Sequence, residues 1–67
     1  MKNIEVGTKF ENGAGERFEI TYVSPAKFSL KARNLRNELL YSFLWSDKFD
    51  AFVMETNPKV QLGDLIT

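Results

Sequence analysis

The sequence predicts a mainly β protein: a small bent antiparallel sheet or partly open barrel, with one short helix after the fourth strand. Three observations carry that expectation. Stretches in the first half alternate apolar and polar side chains with a period of two, the pattern of half-buried strands. Clusters rich in Asn, Gly, Ser and Pro separate them, and these residues favour turns. The stretch Glu38 to Val53 then combines a segment that is apolar on all sides with a single apolar stripe.

Ile4, Val6, Thr8 and Phe10 alternate with Glu5, Gly7, Lys9 and Glu11, which predicts a first strand. Asn12-Gly13-Ala14-Gly15 supplies residues that tolerate positive φ, as a hairpin turn requires. Phe18, Ile20 and Tyr22 mark a second strand, which Ser24-Pro25-Ala26 breaks because Pro has no N–H to donate. Phe28, Leu30 and Ala32 mark a third, with Lys27, Ser29, Lys31 and Arg33 on its other face. A turn centred on Pro25 places Tyr22 opposite Phe28, Ile20 opposite Leu30 and Phe18 opposite Ala32, with Glu19 meeting Lys31. Phe18, Ile20, Phe28 and Leu30 are then core.

Asn34 to Asn37 form the next turn. Glu38 to Leu44 is read as a strand covered on both faces. Leu39, Tyr41, Phe43 and Trp45 share one face, and Leu40 and Leu44 the other. Ser46 is a good N-cap, Asp47 suits the positive end of a helix dipole, and Phe49, Phe52 and Val53 are spaced i, i+3, i+4. A two-turn helix over Asp47 to Val53 is therefore expected. The alternative is an α+β fold, in which Leu35 to Met54 form one broken helix on a three-stranded meander. Asn57-Pro58 should end the helix, and Val60, Leu62, Leu65 and Ile66 make a last short strand around Gly63-Asp64. The segments Ile4–Phe10 and Val60–Ile66 share an apolar-x-apolar-Gly-polar-x-apolar pattern, read as a glycine bend in two edge strands.

With 67 residues the chain is expected to form one domain, residues 1–67. A domain of this size buries only about 60% of its unfolded surface, so association is a natural supplement to its stability. There is no Cys for a disulfide or thiolate metal site, and no His. Lys plus Arg number nine and Asp plus Glu nine, which argues against phosphate binding by bulk charge. No apolar run is long enough to span a membrane, and Met1 to Phe10 alternates like a strand rather than a signal peptide. The expected location is cytoplasmic.

Val6–Phe10 (VGTKF), Arg17–Ser24 (RFEITYVS), Lys27–Lys31 (KFSLK) and Leu40–Phe52 (LYSFLWSDKFDAF) together resemble small Src-homology-3-like barrel proteins of unknown function from phages and plasmids. The resemblance lies in apolar spacing and turns and contains no diagnostic motif. It implies a small barrel and a mobile-element setting, and carries over no functional residue.

The chemistry points away from catalysis. Without His or Cys, the commonest general base and the strongest nucleophile are missing. Asp47 and Asp50 fit a solvated helix face, Gly13 and Gly15 make no phosphate loop, and no acidic triplet has calcium-loop spacing. No enzyme activity, cofactor or metal is expected. The expected function is a protein-interaction module, an accessory protein of a mobile genetic element acting on a host or phage protein. Its interface is placed at Leu40, Leu44 and Trp45, with a second copy of the chain included among its partners. The alternative is a nucleic-acid-binding barrel using Lys27, Lys31, Arg33 and Arg36, a basic run from which acids are absent.

Overall fold

The computed structural model describes residues 4–66. Seven strands form one curled antiparallel sheet, a half-barrel: β1 (Lys9–Glu11), β2 (Arg17–Val23), β3 (Ser29–Asn34), β4 (Leu40–Ser46), β5 (Ala51–Met54), β6 (Asn57–Gln61) and β7 (Asp64–Leu65). Their order across the sheet is β6-β5-β4-β3-β2-β1-β7. Each strand from β1 to β5 is thus paired with the next in sequence, as a chain of tight turns dictates.

The inner face is built by the alternation that the sequence displays. Phe10, Phe18, Ile20, Leu30, Ala32 and Phe43 are almost completely buried, and Phe52, Met54, Ile4 and Leu62 complete the core. Phe18 meets Phe43 edge-on at 5.1 Å between ring centroids and Tyr41 at 6.3 Å. Each such pair contributes about 0.5–1.5 kcal/mol beyond the area it buries.

Asparagines organise two of the turns. Asn12 Oδ1 accepts from the N–H groups of Ala14 and Glu16, both at 3.0 Å, and so shapes the β1–β2 turn. Asn34, itself buried, accepts from the N–H groups of Arg36 (2.8 Å) and Asn37 (3.2 Å) in the β3–β4 turn. Lys27, Glu38 and Asp50 adopt left-handed backbone angles just before β3, β4 and β5, closing each of those turns.

The expected helix over Asp47 to Val53 does not form, and among the described residues there is no helix at all. Ser46 does begin as an N-cap would, its Oγ accepting the Phe49 N–H at 3.3 Å. Asp50 then takes φ 51°, which ends any helical path after one turn and sends the chain back as β5. In β5, Phe52 lies opposite Trp45 and Met54 opposite Phe43, while Val53 lies opposite Leu44. The i, i+3, i+4 spacing is a coincidence of a turn followed by a strand that is buried at Phe52, Val53 and Met54 alike. The broken-helix alternative fails for the same reason, since Leu35 to Met54 contains β4 and β5. Pro58 stands inside β6, an edge strand, where a residue without an N–H is tolerated.

Three further expectations change. The first strand shrinks to Lys9–Glu11 because the chain turns at Val6-Gly7, leaving Val6 exposed. Met1 to Asn3 lie outside the described residues. The β2–β3 register differs from the expected one: Phe18 pairs with Asn34 and Ile20 with Ala32, and an irregularity between Ile20 and Tyr22 then brings Tyr22 opposite Lys31. Tyr22 and Phe28 are consequently exposed rather than core, and Glu19 pairs with Arg33 instead of Lys31. Leu39 precedes β4 and is exposed.

The two edges of the sheet belong to one stretch of chain. β6 pairs with β5, and two residues later β7 pairs with β1. Leu62 and Gly63 make the bend between them. Leu62 donates its N–H to the Phe52 carbonyl at 2.9 Å, and beyond the bend Ile66 donates to the Lys9 carbonyl at 2.9 Å. Gly63 has φ 93° and lies so close to the Glu11 carbonyl and the Asn12 backbone that a Cβ would collide with them. Asn12 Nδ2 fastens the same corner by donating to the Gln61 carbonyl at 2.9 Å.

Candidate functional site

The outer face of the sheet changes character across its width. Lys9, Glu19, Arg33 and Leu40 lie in one cross-strand row, so a charged band on β1–β3 gives way to an apolar side chain on β4. Arg33 Nη2 donates to Glu19 Oε1 at 3.0 Å, and Arg17 lies 3.8 Å from Glu11. The next apolar row on this face is Leu44 against Val53. Leu40 is 60% exposed and Leu44 40%, whereas Val53 is buried. The segment expected to form a helix over these leucines is β5 instead.

Trp45 is on the opposite side of β4. It is half-buried, packs edge-on against Phe52 with centroids 5.1 Å apart, and donates its indole N–H to Asp47 Oδ1 at 2.9 Å. The three residues expected to make one interface therefore serve two surfaces: Leu40 and Leu44 the outer face, Trp45 the inner.

The basic residues are spread along the length of β3. Lys27 lies in the turn before it, Lys31 and Arg33 on its outer face, and Arg36 in the turn after it. Lys31 stands between Tyr22 and Ser42, and Arg33 is occupied by Glu19. Only Lys31 and Arg33 share a sheet face, and one of those two charges is neutralised locally.

Trp45 opens onto a feature that the sequence pattern does not reveal. Along the seam between the β4–β5 turn and the bent last strand runs a cleft of about 790 Å³. Its floor includes the buried side chains of Ile4, Phe10 and Leu62, and its walls include Trp45, Phe49 and Phe52. Asp50, Gln61 and Asp64 supply polar groups, and among the described residues no Lys or Arg is part of the lining. Periodicity alone puts Phe49 and Asp50 on a helix and Ile4 and Gly63 in edge strands, with nothing to join them. The one available signal is the glycine shared by the two similar segments, since Gly63 is where the chain bends to form the seam. Among the described residues no cluster of three or more His, Cys, Asp or Glu could hold a metal ion, and no helix is long and apolar enough to cross a membrane.

Comparison of the chain with protein-family models, with curated proteins and with solved structures finds no match.

Proposed function

We propose that this protein is a non-enzymatic protein-interaction module that binds its partner through the outer face of β4. The observation that carries the reading is the pair Leu40 and Leu44, both solvent-exposed on one face of β4, a strand inside the sheet. Large aliphatic side chains four residues apart on the outer face of a strand give a contact surface that a solvated strand does not need. Zero net charge leaves little repulsion to oppose association. The absence of His and Cys from the sequence leaves few groups suited to catalysis. The resemblance to small Src-homology-3-like barrels of phages and plasmids supports a setting in the cytoplasm of a bacterial host, as an accessory protein acting on a host or phage protein.

The test compares the wild-type chain with the double variant Leu40→Asp, Leu44→Asp. Both positions are solvent-exposed, so at about 0.5 kcal/mol per site the thermal midpoint should fall by no more than about 8 °C. Immobilised wild-type protein should retain a bacterial protein from nuclease-treated lysate, or a second copy of itself, and the double variant should lose at least about tenfold of that affinity. Equal retention by the two proteins would dismiss the outer face of β4 as the interface. Retention that disappears on nuclease treatment and falls steeply with salt would instead assign the surface to Lys27, Lys31, Arg33 and Arg36.

A further inference from the structure

We propose that the seam cleft binds an arginine side chain presented by the partner protein. The choice of a protein as the source rests on the reading above; the chemistry of the cleft stands apart from it, on the other face of the sheet.

An arginine has two parts, and the cleft offers a place for each. Its alkyl stem needs apolar surface, and Phe10 and Leu62 provide a buried floor. Its guanidinium is weakly hydrated, planar and always charged, and it is stabilised by aromatic faces and by carboxylates. Trp45, Phe49 and Phe52 bring three aromatic rings to the walls. Asp50 brings a carboxylate which, among the described residues, forms no ion pair or side-chain hydrogen bond. Among the described lining residues there is no base beside Asp50, so the charge it brings is complementary to a cation and opposed to an anion.

Two details of the β4–β5 turn strengthen the assignment. Lys48 holds its ammonium 5.5 Å from the centroid of the Phe49 ring, so this rim already stabilises one cation by its aromatic face. Lys48 is flanked by Asp47 and Asp50, which leaves the turn net negative and able to accept a second. The hydrogen bond from the Trp45 indole to Asp47 fixes the ring against rotation, so the wall is formed before a ligand arrives. Asp50 is also the left-handed residue of the turn, and its backbone is therefore held in place by the reversal into β5.

Titration of the ¹⁵N-labelled chain with the peptide acetyl-Gly-Gly-Arg-Gly-Gly-amide tests the proposal. The indole N–H of Trp45 and the amides of Asp50, Gln61 and Gly63 should shift together and saturate. The same peptide with citrulline, a neutral isostere of arginine, should bind about tenfold more weakly. Asp50→Asn, which keeps a residue type tolerant of the left-handed angle, should weaken arginine binding by a similar factor without unfolding the chain. Leu40→Asp should leave the peptide titration unchanged, so that failure at the cleft and failure at the outer face are told apart. Absence of shifts at these four residues would overturn the proposal, as would equal binding of arginine and citrulline, which would make the cleft a purely apolar pocket. Shifts that follow protein concentration alone would give the cleft to a second copy of the chain and overturn it equally.

Discussion

Gly7 and Gly63 sit in similar sequence, Ile4-x-Val6-Gly7 and Val60-x-Leu62-Gly63, and adopt nearly the same backbone angle, φ 92° and 93°. Their surroundings differ completely. A Cβ on Gly7 would meet nothing within 4 Å, while a Cβ on Gly63 would strike the backbone of Glu11 and Asn12. The first glycine serves its own turn, which Thr8 closes by donating its N–H to the Glu5 carbonyl at 3.1 Å. The second serves the closure of the sheet, because the last strand can reach β1 only by passing that close. A shared motif and a shared angle thus conceal two requirements, one local and one tertiary.

Substitutions that isolate each requirement should rank accordingly. Gly63→Ala carries the largest expected effect, since it combines left-handed strain with a backbone collision; a loss of about 3 kcal/mol or more is expected. For a domain whose stability is on the order of 5 kcal/mol, that removes more than half of it and should lower the urea midpoint by more than half, readable by Trp45 fluorescence. Asn12→Ala comes next. It removes three turn hydrogen bonds and the link to Gln61 at the same corner, for an expected cost of about 1–3 kcal/mol in the same titration. Gly7→Ala should cost only about 1–2 kcal/mol, the strain of the angle by itself. If Gly63→Ala proved no more harmful than Gly7→Ala, the close approach at the seam would be yielding rather than rigid, and the distinction between the two bends would collapse.

Much of the sheet is legible in the amino-acid pattern. The alternation around Phe18, Ile20, Leu30 and Ala32 specifies β2, β3 and their inner face, and Asn12-Gly13 marks the first turn. The outward direction of Leu40 and Leu44 is also readable, because a strand with apolar residues on both sides must present one set away from the core. β5 is not legible. Its run of consecutive buried residues, Phe52 to Met54, gives no period of two, and the turn before it places Phe49 at helical spacing from Phe52. The β2–β3 register is hidden because an irregularity near Thr21 shifts the pairing by one residue on one strand only, and no residue there announces it. The cleft is invisible for a different reason. Ile4, Trp45, Phe49 and Gly63 are brought together by closure, and no local pattern records which distant segments a bent strand will join.

That closure also orders events in time. Contacts across the tight turns from β1 to β6 join neighbours in sequence, and hairpins of that kind assemble within about 1–10 µs. The corner held by Asn12 and Gln61 joins residues 49 apart, so its loop entropy is met only after most of the sheet exists. Until then β1 has an unpaired edge, since its second neighbour is the two-residue β7 at the far end of the chain. A chain whose last strand has not yet docked would present that β1 edge to a strand from another molecule as well as to its own. The bend at Gly63 decides between these outcomes: it lets the chain's own last strand reach that edge first, and so sets the kinetic competition between a closed monomer and a strand-exchanged assembly.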